Sequence, residues 1–171
     1  MITLAIDAST KSTGWSIFKQ QELIDYGCIT AGSANLFHRI HKMIDEISKI
    51  IEKYKVDQVA IEDVIPEDVR HNQQVYKALM YLQAFLADKC DQFNIKPTFY
   101  VASSWRKKCG IHTGRSVYRE SLKAQDIQFV KSQFGINVND DEADAICIGF
   151  AHVGGKIKEP QIIEDDGFEF R

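Results

Sequence analysis

The sequence has no hydrophobic run approaching the roughly 20 residues that span a bilayer. Its N-terminus opens on Ile-Thr-Leu-Ala-Ile, not on the basic, apolar and small-residue sections of a signal peptide. Both absences predict a chain that stays in the cytoplasm, with no membrane as partner. Cysteine is sparse: Cys28, Cys90, Cys109 and Cys147 are scattered, and no Cys-x-x-Cys pair occurs. That argues against a zinc site and a disulfide framework, and predicts reduced, mostly buried thiols. No Gly-x-x-x-x-Gly-Lys-[Ser/Thr] phosphate loop is present. The letters Asp-Glu-Ala-Asp at 141–144 are therefore not a helicase motif, and no nucleotide cofactor is expected. Internal repeats and low-complexity segments are missing as well.

What is present fits one globular domain. The chain has 171 residues, 44% hydrophobic and 26% charged, enough to bury about two-thirds of its unfolded surface. The net charge of −3 hides an asymmetry. The end of the chain carries Glu159, Glu164, Asp165, Asp166 and Glu169 against Arg171 alone, and the remainder is slightly positive. Between positions 106 and 131 lie Arg106, Lys107, Lys108, Arg115, Arg119, Lys123 and Lys131, opposed by Glu120 and Asp126. This is a local basic patch of the kind that meets phosphates. We divide the chain into a folded domain, 1–155, and an acidic tail, 156–171.

Short apolar runs at 2–7, Trp15 to Phe18 and Glu22 to Thr30 read as an antiparallel meander. Phe37, Ile40, Met43, Ile44, Ile47, Ile50 and Ile51 recur at helical spacing, and this helix ends near Lys55. Val59-Ala60-Ile61 is a buried strand, and a helix between strands implies a parallel crossover. A second helix carries Val75, Leu79, Leu82, Phe85 and Leu86. A strand at 98–101, a helix over about 115–134 and a final helix from near Asp141 complete the order βββαβαβαα. That order predicts an α/β, ribonuclease H-like fold: a mixed five-stranded sheet of three antiparallel and two parallel strands, flanked by α-helices.

Carboxylates carry the chemistry. Asp7 ends the first apolar run and Glu62 ends another. An acid at a strand end is costly to desolvate unless a cation pairs with it. Asp141 and Asp144 stand three apart, so they share a helical face. Asp63 alternates away from Glu62 and reads as a bystander; Asp140 reads as the helix N-cap. If Asp7, Glu62, Asp141 and Asp144 converge, they form an all-oxygen site for Mg²⁺, with Mn²⁺ as substitute. Two such ions can cleave a phosphodiester.

The motifs then carry a resemblance. Ile6-Asp7-Ala8-Ser9-Thr10-Lys11-Ser12-Thr13-Gly14-Trp15, Ala60-Ile61-Glu62-Asp63-Val64 and Asp141-Glu142-Ala143-Asp144-Ala145 resemble the acidic motifs of the RuvC Holliday-junction resolvases. Tyr100-Val101-Ala102-Ser103-Ser104-Trp105-Arg106 falls where that family has a strand followed by DNA contacts. Order and spacing match over roughly 1–153, and the departures are similar to the RuvC-like resolvases of bacteriophages, such as lactococcal ones. The resemblance implies a homodimer that nicks branched DNA, with two Mg²⁺ per active site and Asp7, Glu62, Asp141 and Asp144 as catalytic metal ligands. If the source is viral, the compartment is the host cytoplasm.

Arg106 and Lys123 align with the family's DNA-contacting lysines. Lys11, Lys107, Lys108, Arg115 and Arg119 are further candidates for backbone contact. The family's junction-wedging aromatic corresponds to Ile65, followed by Pro66, Glu67 and Asp68. Isoleucine lacks a stacking face, which implies weak discrimination among junctions, three-way junctions and forks. A paired site for a four-way junction also needs two-fold symmetry, with the apolar face of the second helix, near Val75 to Phe85, as candidate interface. Other readings of the same acids remain open: a nuclease for structured RNA, a fragment of an actin-like phosphotransferase, or a non-catalytic DNA-binding module.

Overall fold

Alternation along the first strand sets the layers of the molecule. In β1 (Ile2–Asp7), Leu4 and Ile6 join the core on one side of the sheet and Ala5 joins the core on the other. A computed structural model describes residues 1–33, 35–66, 72–114 and 118–157. β1 is the central strand of a sheet ordered β3-β2-β1-β4-β5. β2 (Ser12–Lys19) pairs antiparallel with β1, and β3 (Glu22–Thr30) pairs antiparallel with β2. β4 (Gln58–Glu62) and β5 (Thr98–Tyr100) continue the sheet in parallel beyond β1. This is the expected ribonuclease H-like sheet, three antiparallel strands followed by two parallel ones.

Helices cover both faces. α1 (Leu36–Tyr54) buries Ile40, Met43, Ile44, Ile47 and Ile51, a stripe at helical spacing. With Leu82, Leu86 and Cys90 of α2 (Gln73–Gln92), it packs on Leu4, Ile6, Ile17, Val59 and Ile61. α1 stops at Lys55, whose left-handed φ of 54° lets its N–H reach the Ile51 carbonyl. The opposite face carries α3 (Ala102–Lys108), α4 (Arg119–Phe134) and α5 (Asp140–His152) over Ala5, Phe18 and Ala60. From Ala143 to Ala151 every residue of α5 is buried. No described helix is long and apolar enough to cross a membrane. Cys90, Cys109 and Cys147 are buried free thiols, and Cys28 is half-buried.

Three details differ from the sequence reading. Strand β5 ends at Tyr100 because Val101 turns to become the first flanking residue of α3, a helix the sequence reading omits. α4 is described from Arg119; residues 115–117 lie outside the described residues. The N-cap of α5 is Asn139 and not Asp140. The Asn139 side chain accepts from the Glu142 N–H at 2.9 Å, and Glu142 accepts from the Asn139 N–H at 3.0 Å. This capping box moves Asp140 into the first turn, where its charge faces the helix's positive end.

A part-buried polar link closes the parallel side of the sheet. His152, at the end of α5, lies 3.2 Å from the Tyr100 hydroxyl through Nδ1 and 3.1 Å from Gln58 Oε1 through Nε2. A neutral ring satisfies both: Nε2–H donates to the amide oxygen, and Nδ1 accepts from the phenol. Burial, and then the nearby Lys108 charge, hold the His152 pKa below the ordinary histidine value. The unfolded chain therefore binds this proton more tightly than the folded one. The stabilisation is present above the unfolded value and is lost as pH falls through the folded one. Thermal melting of His152→Gln should consequently fall less between pH 7 and pH 5 than that of the parent. Parallel melting curves for the two proteins would remove His152 from the acid response.

Candidate active site

Strand register brings two of the acids together. Ile6 pairs with Ile61 in the parallel β1–β4 ladder, so Asp7 and Glu62 follow as the next residues on adjacent strand ends. On its other side Asp7 is opposite Gly14 of β2. A Cβ on Gly14 would overlap the Asp141 carbonyl oxygen and lie 3.3 Å from the Ala145 Cβ. The first turn of α5 thus rests directly on the backbone of β2, beside Asp7. Further along, Ser16 Oγ donates to the Ala145 carbonyl at 2.8 Å, and a Cβ on Gly149 would run into the Phe18 ring. Small residues on both partners make this close approach possible.

Asp7, Glu62, Asp141 and Asp144 all line one cleft of about 990 Å³. Their proximity shows in their acidity. Burial, then the charges of Glu62 and Asp141, raise Asp7 well above the usual carboxylate range. Burial, then the charge of Asp7, push Asp144 up to about 10. Other side chains anchor the cluster. Trp105 Nε1–H donates to Glu62 Oε2 at 3.0 Å, and Gln83 Nε2–H donates to the Glu62 carbonyl at 2.7 Å. Ser12 Oγ–H donates to Asp141 Oδ2. Arg106 Nη2 stands 3.6 Å from Asp144 Oδ2.

These residues fit a hard divalent cation. The donor set is anionic and all oxygen, and the buried Asp144 Oδ1 has no hydrogen-bond partner among the described residues. A buried carboxylate oxygen without a partner is costly, and a cation removes that cost. Among the described residues no three His, Cys, Asp or Glu side chains already stand at ligating spacing. Glu62 and Asp141 are each held by their own anchors, Trp105 and Ser12.

The predicted cations divide. Lys11, Arg106, Arg119 and Lys123 line the cleft with the acids. Arg106 is not a free surface cation: its side chain is 12% exposed, and it holds the fully buried Asp126 through Nε and Nη2. Lys123 is tied to Asp140. Lys107 and Lys108 are not among the lining residues; the Lys108 ammonium lies 5.0 Å from the Tyr100 ring centre and donates to the Ala151 carbonyl. Arg115, Glu67 and Asp68 fall outside the described residues. Ile65 lines the cleft, half-buried. Asp63, read as a bystander, also lines it, because β4 ends at Glu62 and the alternation of a strand stops there.

Sequence reasoning passed over the roles of Ser12, Trp105, Asp126 and Arg39. Ser12 was legible as one more hydroxyl in the turn that follows Asp7. Trp105 is fully buried with its ring edge on Glu62, a core residue and a carboxylate anchor at once. Arg39, on α1, donates to the Thr10 carbonyl at 3.1 Å and adds a cation to the cleft lining. Thr13 Oγ1 is occupied within the β1–β2 turn, accepting from the Ser9 N–H at 3.1 Å.

A carboxylate cluster at the strand-end edge of a ribonuclease H-like sheet defines the class of metal-dependent nucleases. The family description "Crossover junction endodeoxyribonuclease RuvC" matches residues 3–152, and the chain belongs to that family. The RuvC of Fusobacterium nucleatum is 32% identical over 162 residues, which are 90% of this chain and 80% of the relative. That of Citrifermentans bemidjiense is 30% identical over 160 residues, 89% of this chain and 92% of the relative. The solved structure of T. thermophilus RuvC in complex with a Holliday junction substrate has the same fold. Its TM-score is 0.72 at 12% identity, over 90% of this chain and 94% of that one. The yeast mitochondrial Holliday junction resolvase Ydc2 gives a TM-score of 0.57 at 12% identity, over 89% and 77% of the two chains.

The contact between Gly14 and α5 yields a direct expectation. Gly14→Ala inserts a methyl group where the Asp141 carbonyl already sits, so α5 must move off the sheet. Overpacking of this kind costs about 1–3 kcal/mol, read as a lower unfolding midpoint in urea. The same shift separates Asp141 from Asp7, so nuclease activity should fall further than stability does. A Gly14→Ala variant with unchanged midpoint and activity would show that α5 tolerates a looser seat.

Proposed function

We propose that this chain is a divalent-cation-dependent endonuclease that nicks branched DNA, four-way junctions included, with Asp7, Glu62, Asp141 and Asp144 as the catalytic metal ligands. The observation that supports the reading is that these acids line one cleft, with a buried Asp144 oxygen that has no hydrogen-bond partner among the described residues, in a chain of the RuvC family. Two Mg²⁺ ions, with Mn²⁺ able to replace them, would activate the attacking water and stabilise the leaving 3′ oxygen. The chain's own residues supply orientation. Trp105 fixes the rotation of the Glu62 carboxylate, Ser12 fixes that of Asp141, and the sheet edge fixes Asp7. Phosphate backbone meets Lys11, Arg119 and Lys123 along the same cleft wall, and Arg106 beneath it. No protein nucleophile is required.

Two nicks placed symmetrically on a junction need two sites related by a two-fold axis, so the working unit is a homodimer. Val75, Met80, Tyr81 and Phe85 of α2 are exposed, and Phe37 of α1 lies 5.9 Å from Tyr81 between ring centres. This apolar strip is the proposed interface. Light scattering should give twice the chain mass at micromolar concentration, and Tyr81→Glu should halve it. A monomer with junction bound would refute the dimer.

The decisive assay combines cleavage, binding and melting. Asp7→Asn, Glu62→Gln and Asp144→Asn should each abolish nicking of a four-way junction in Mg²⁺ while retaining junction binding in Ca²⁺. Asp7 and Asp144 are raised by burial among like charges, so without divalent cation their amide variants should melt no lower than the parent. Mg²⁺ should raise the melting temperature of the parent and not of the variants. Forks and three-way junctions should be cut within a hundredfold of four-way junctions, since Ile65 offers no base-stacking face, a contact worth about 1–3 kcal/mol. Near-parental nicking by Asp7→Asn would sink the metal reading, and a stronger preference for structured RNA would replace the substrate.

A further inference from the structure

Behind the cleft wall lies one more acid that the proposed chemistry does not use. Asp126 lies on α4, is fully buried, and is 20 residues from its partner in sequence. Both of its oxygens face Arg106: Nε lies 3.3 Å from Oδ1 and 3.1 Å from Oδ2, and Nη2 lies 2.9 Å from Oδ2. The guanidinium also stacks on the Trp105 ring, 4.2 Å from its centre. A second carboxylate, Asp144, on which Asp126 also bears directly as a neighbouring acid, stands close by, with its Oδ2 3.6 Å from the same Nη2. That separation is beyond a hydrogen bond. A buried guanidinium with a two-point pair available takes it in preference to a single long contact.

Consider the cluster without the charge of Asp126. The nearest anion to Arg106 would be Asp144, and rotation of the guanidinium by about an ångström at its tip would complete a hydrogen-bonded pair with it. Asp144 would then be neutralised from inside the protein, and its unpartnered Oδ1 would no longer favour an external cation. We propose that Asp126 is a positioning residue for cation binding: its two-point pair with Arg106 restrains the guanidinium from closing onto Asp144, which leaves Asp144 available to a divalent ion. The inference rests on the reading of Asp144 as a metal ligand. It assigns to α3 and α4 a joint task, with Trp105 and Arg106 as consecutive residues that address Glu62 and Asp144 while Asp126 sets the position of the second.

The test is Mn²⁺ binding to DNA-free protein, followed by electron paramagnetic resonance of the free ion. Parent protein should bind Mn²⁺; if it does not, the metal reading itself fails, whatever the variants do. Asp126→Asn should weaken Mn²⁺ binding about tenfold or more, because a guanidinium closing on a carboxylate lowers its affinity for a proton by about that factor and competes with a metal cation in the same sense. The double variant Asp126→Asn with Arg106→Gln removes the competing cation and should return Mn²⁺ affinity to within about threefold of parent or tighter. A purely structural role for the pair predicts no such reversal: both proteins would melt lower, and the double variant would bind no better than the single one. Folded Asp126→Asn with parental Mn²⁺ affinity would overturn the proposal, as would a double variant as weak as the single. Should Asp126→Asn not fold, the double variant decides alone, since two amides can still hydrogen-bond in place of two charges. Its affinity within about threefold of parent or tighter supports the proposal, and a greater loss overturns it.

Discussion

Helix α5 lies on strand β2 with almost nothing between them, and the site depends on that contact. Gly14, Ser16 and the Ala145–Gly149 side of the helix are small enough for backbone to meet backbone. Asp7 is the register partner of Gly14, so whatever sits on Gly14 sits beside Asp7. The first turn of α5 is what sits there, and it carries Asp141 and leads into Asp144. The capping box at Asn139 and Glu142 starts the helix at the right residue, because a start displaced by one position would rotate both acids by about 100°. Packing, capping and strand register therefore converge on the placement of four carboxylates.

That placement is electrostatically unfavourable on its own. Burial among like charges raises Asp7 and Asp144, and the nearby cations do not fully offset it. Arg106 stands 3.6 Å from Asp144, yet its hydrogen bonds go to Asp126. The fold thus disfavours the ionised form of these acids where chemistry is proposed, between two apolar cores on either side of the sheet. Such local cost at a functional site, offset by packing elsewhere, is the usual balance between stability and activity. It also gives the anchors a clear purpose. Trp105 and Ser12 hold Glu62 and Asp141 without adding positive charge, so orientation is fixed while the negative potential is kept.

Much of this was legible in the sequence, for identifiable physical reasons. A strand that ends in a carboxylate announces itself, because the apolar residues of Ile-Thr-Leu-Ala-Ile before Asp7 and Val-Ala-Ile before Glu62 leave no other charged group in the run. The stripe from Ile40 to Ile51 repeats at helical spacing over several turns, and sheet order follows from the alternation of strands and helices. The short helix α3 was illegible: it has seven residues and a single buried side chain, Trp105, too few for any period to show. Asp126 was illegible for a different reason. A charged residue in the middle of a basic helix reads as exposed, and only the fold brings Arg106 over it. The N-cap was misplaced by one residue because Asn139, Asp140 and Asp141 are all good caps, and the choice is made by the reach of Glu142 back to Asn139.

The cations around the cleft differ in what already holds them, and on the proposed reading that difference governs how DNA is held. Of the basic residues that line it, Arg106 is paired with Asp126 and Lys123 with Asp140, while Lys107 and Lys108 stand apart from it. Lys11 and Arg119, with Arg39 on the α1 side, add to the lining cations. Against them stand the four site acids and Asp63. A phosphate approaching the acids therefore meets repulsion unless divalent ions arrive with it. On the proposed reading, the cleft discriminates by charge before it discriminates by shape: the outer cations attract the backbone in a salt-dependent way, but seating of a scissile phosphate against Asp7 and Glu62 requires metal. Binding at the rim and engagement at the centre then become separable steps, and the second is governed by how strongly Asp144 and its neighbours hold a cation.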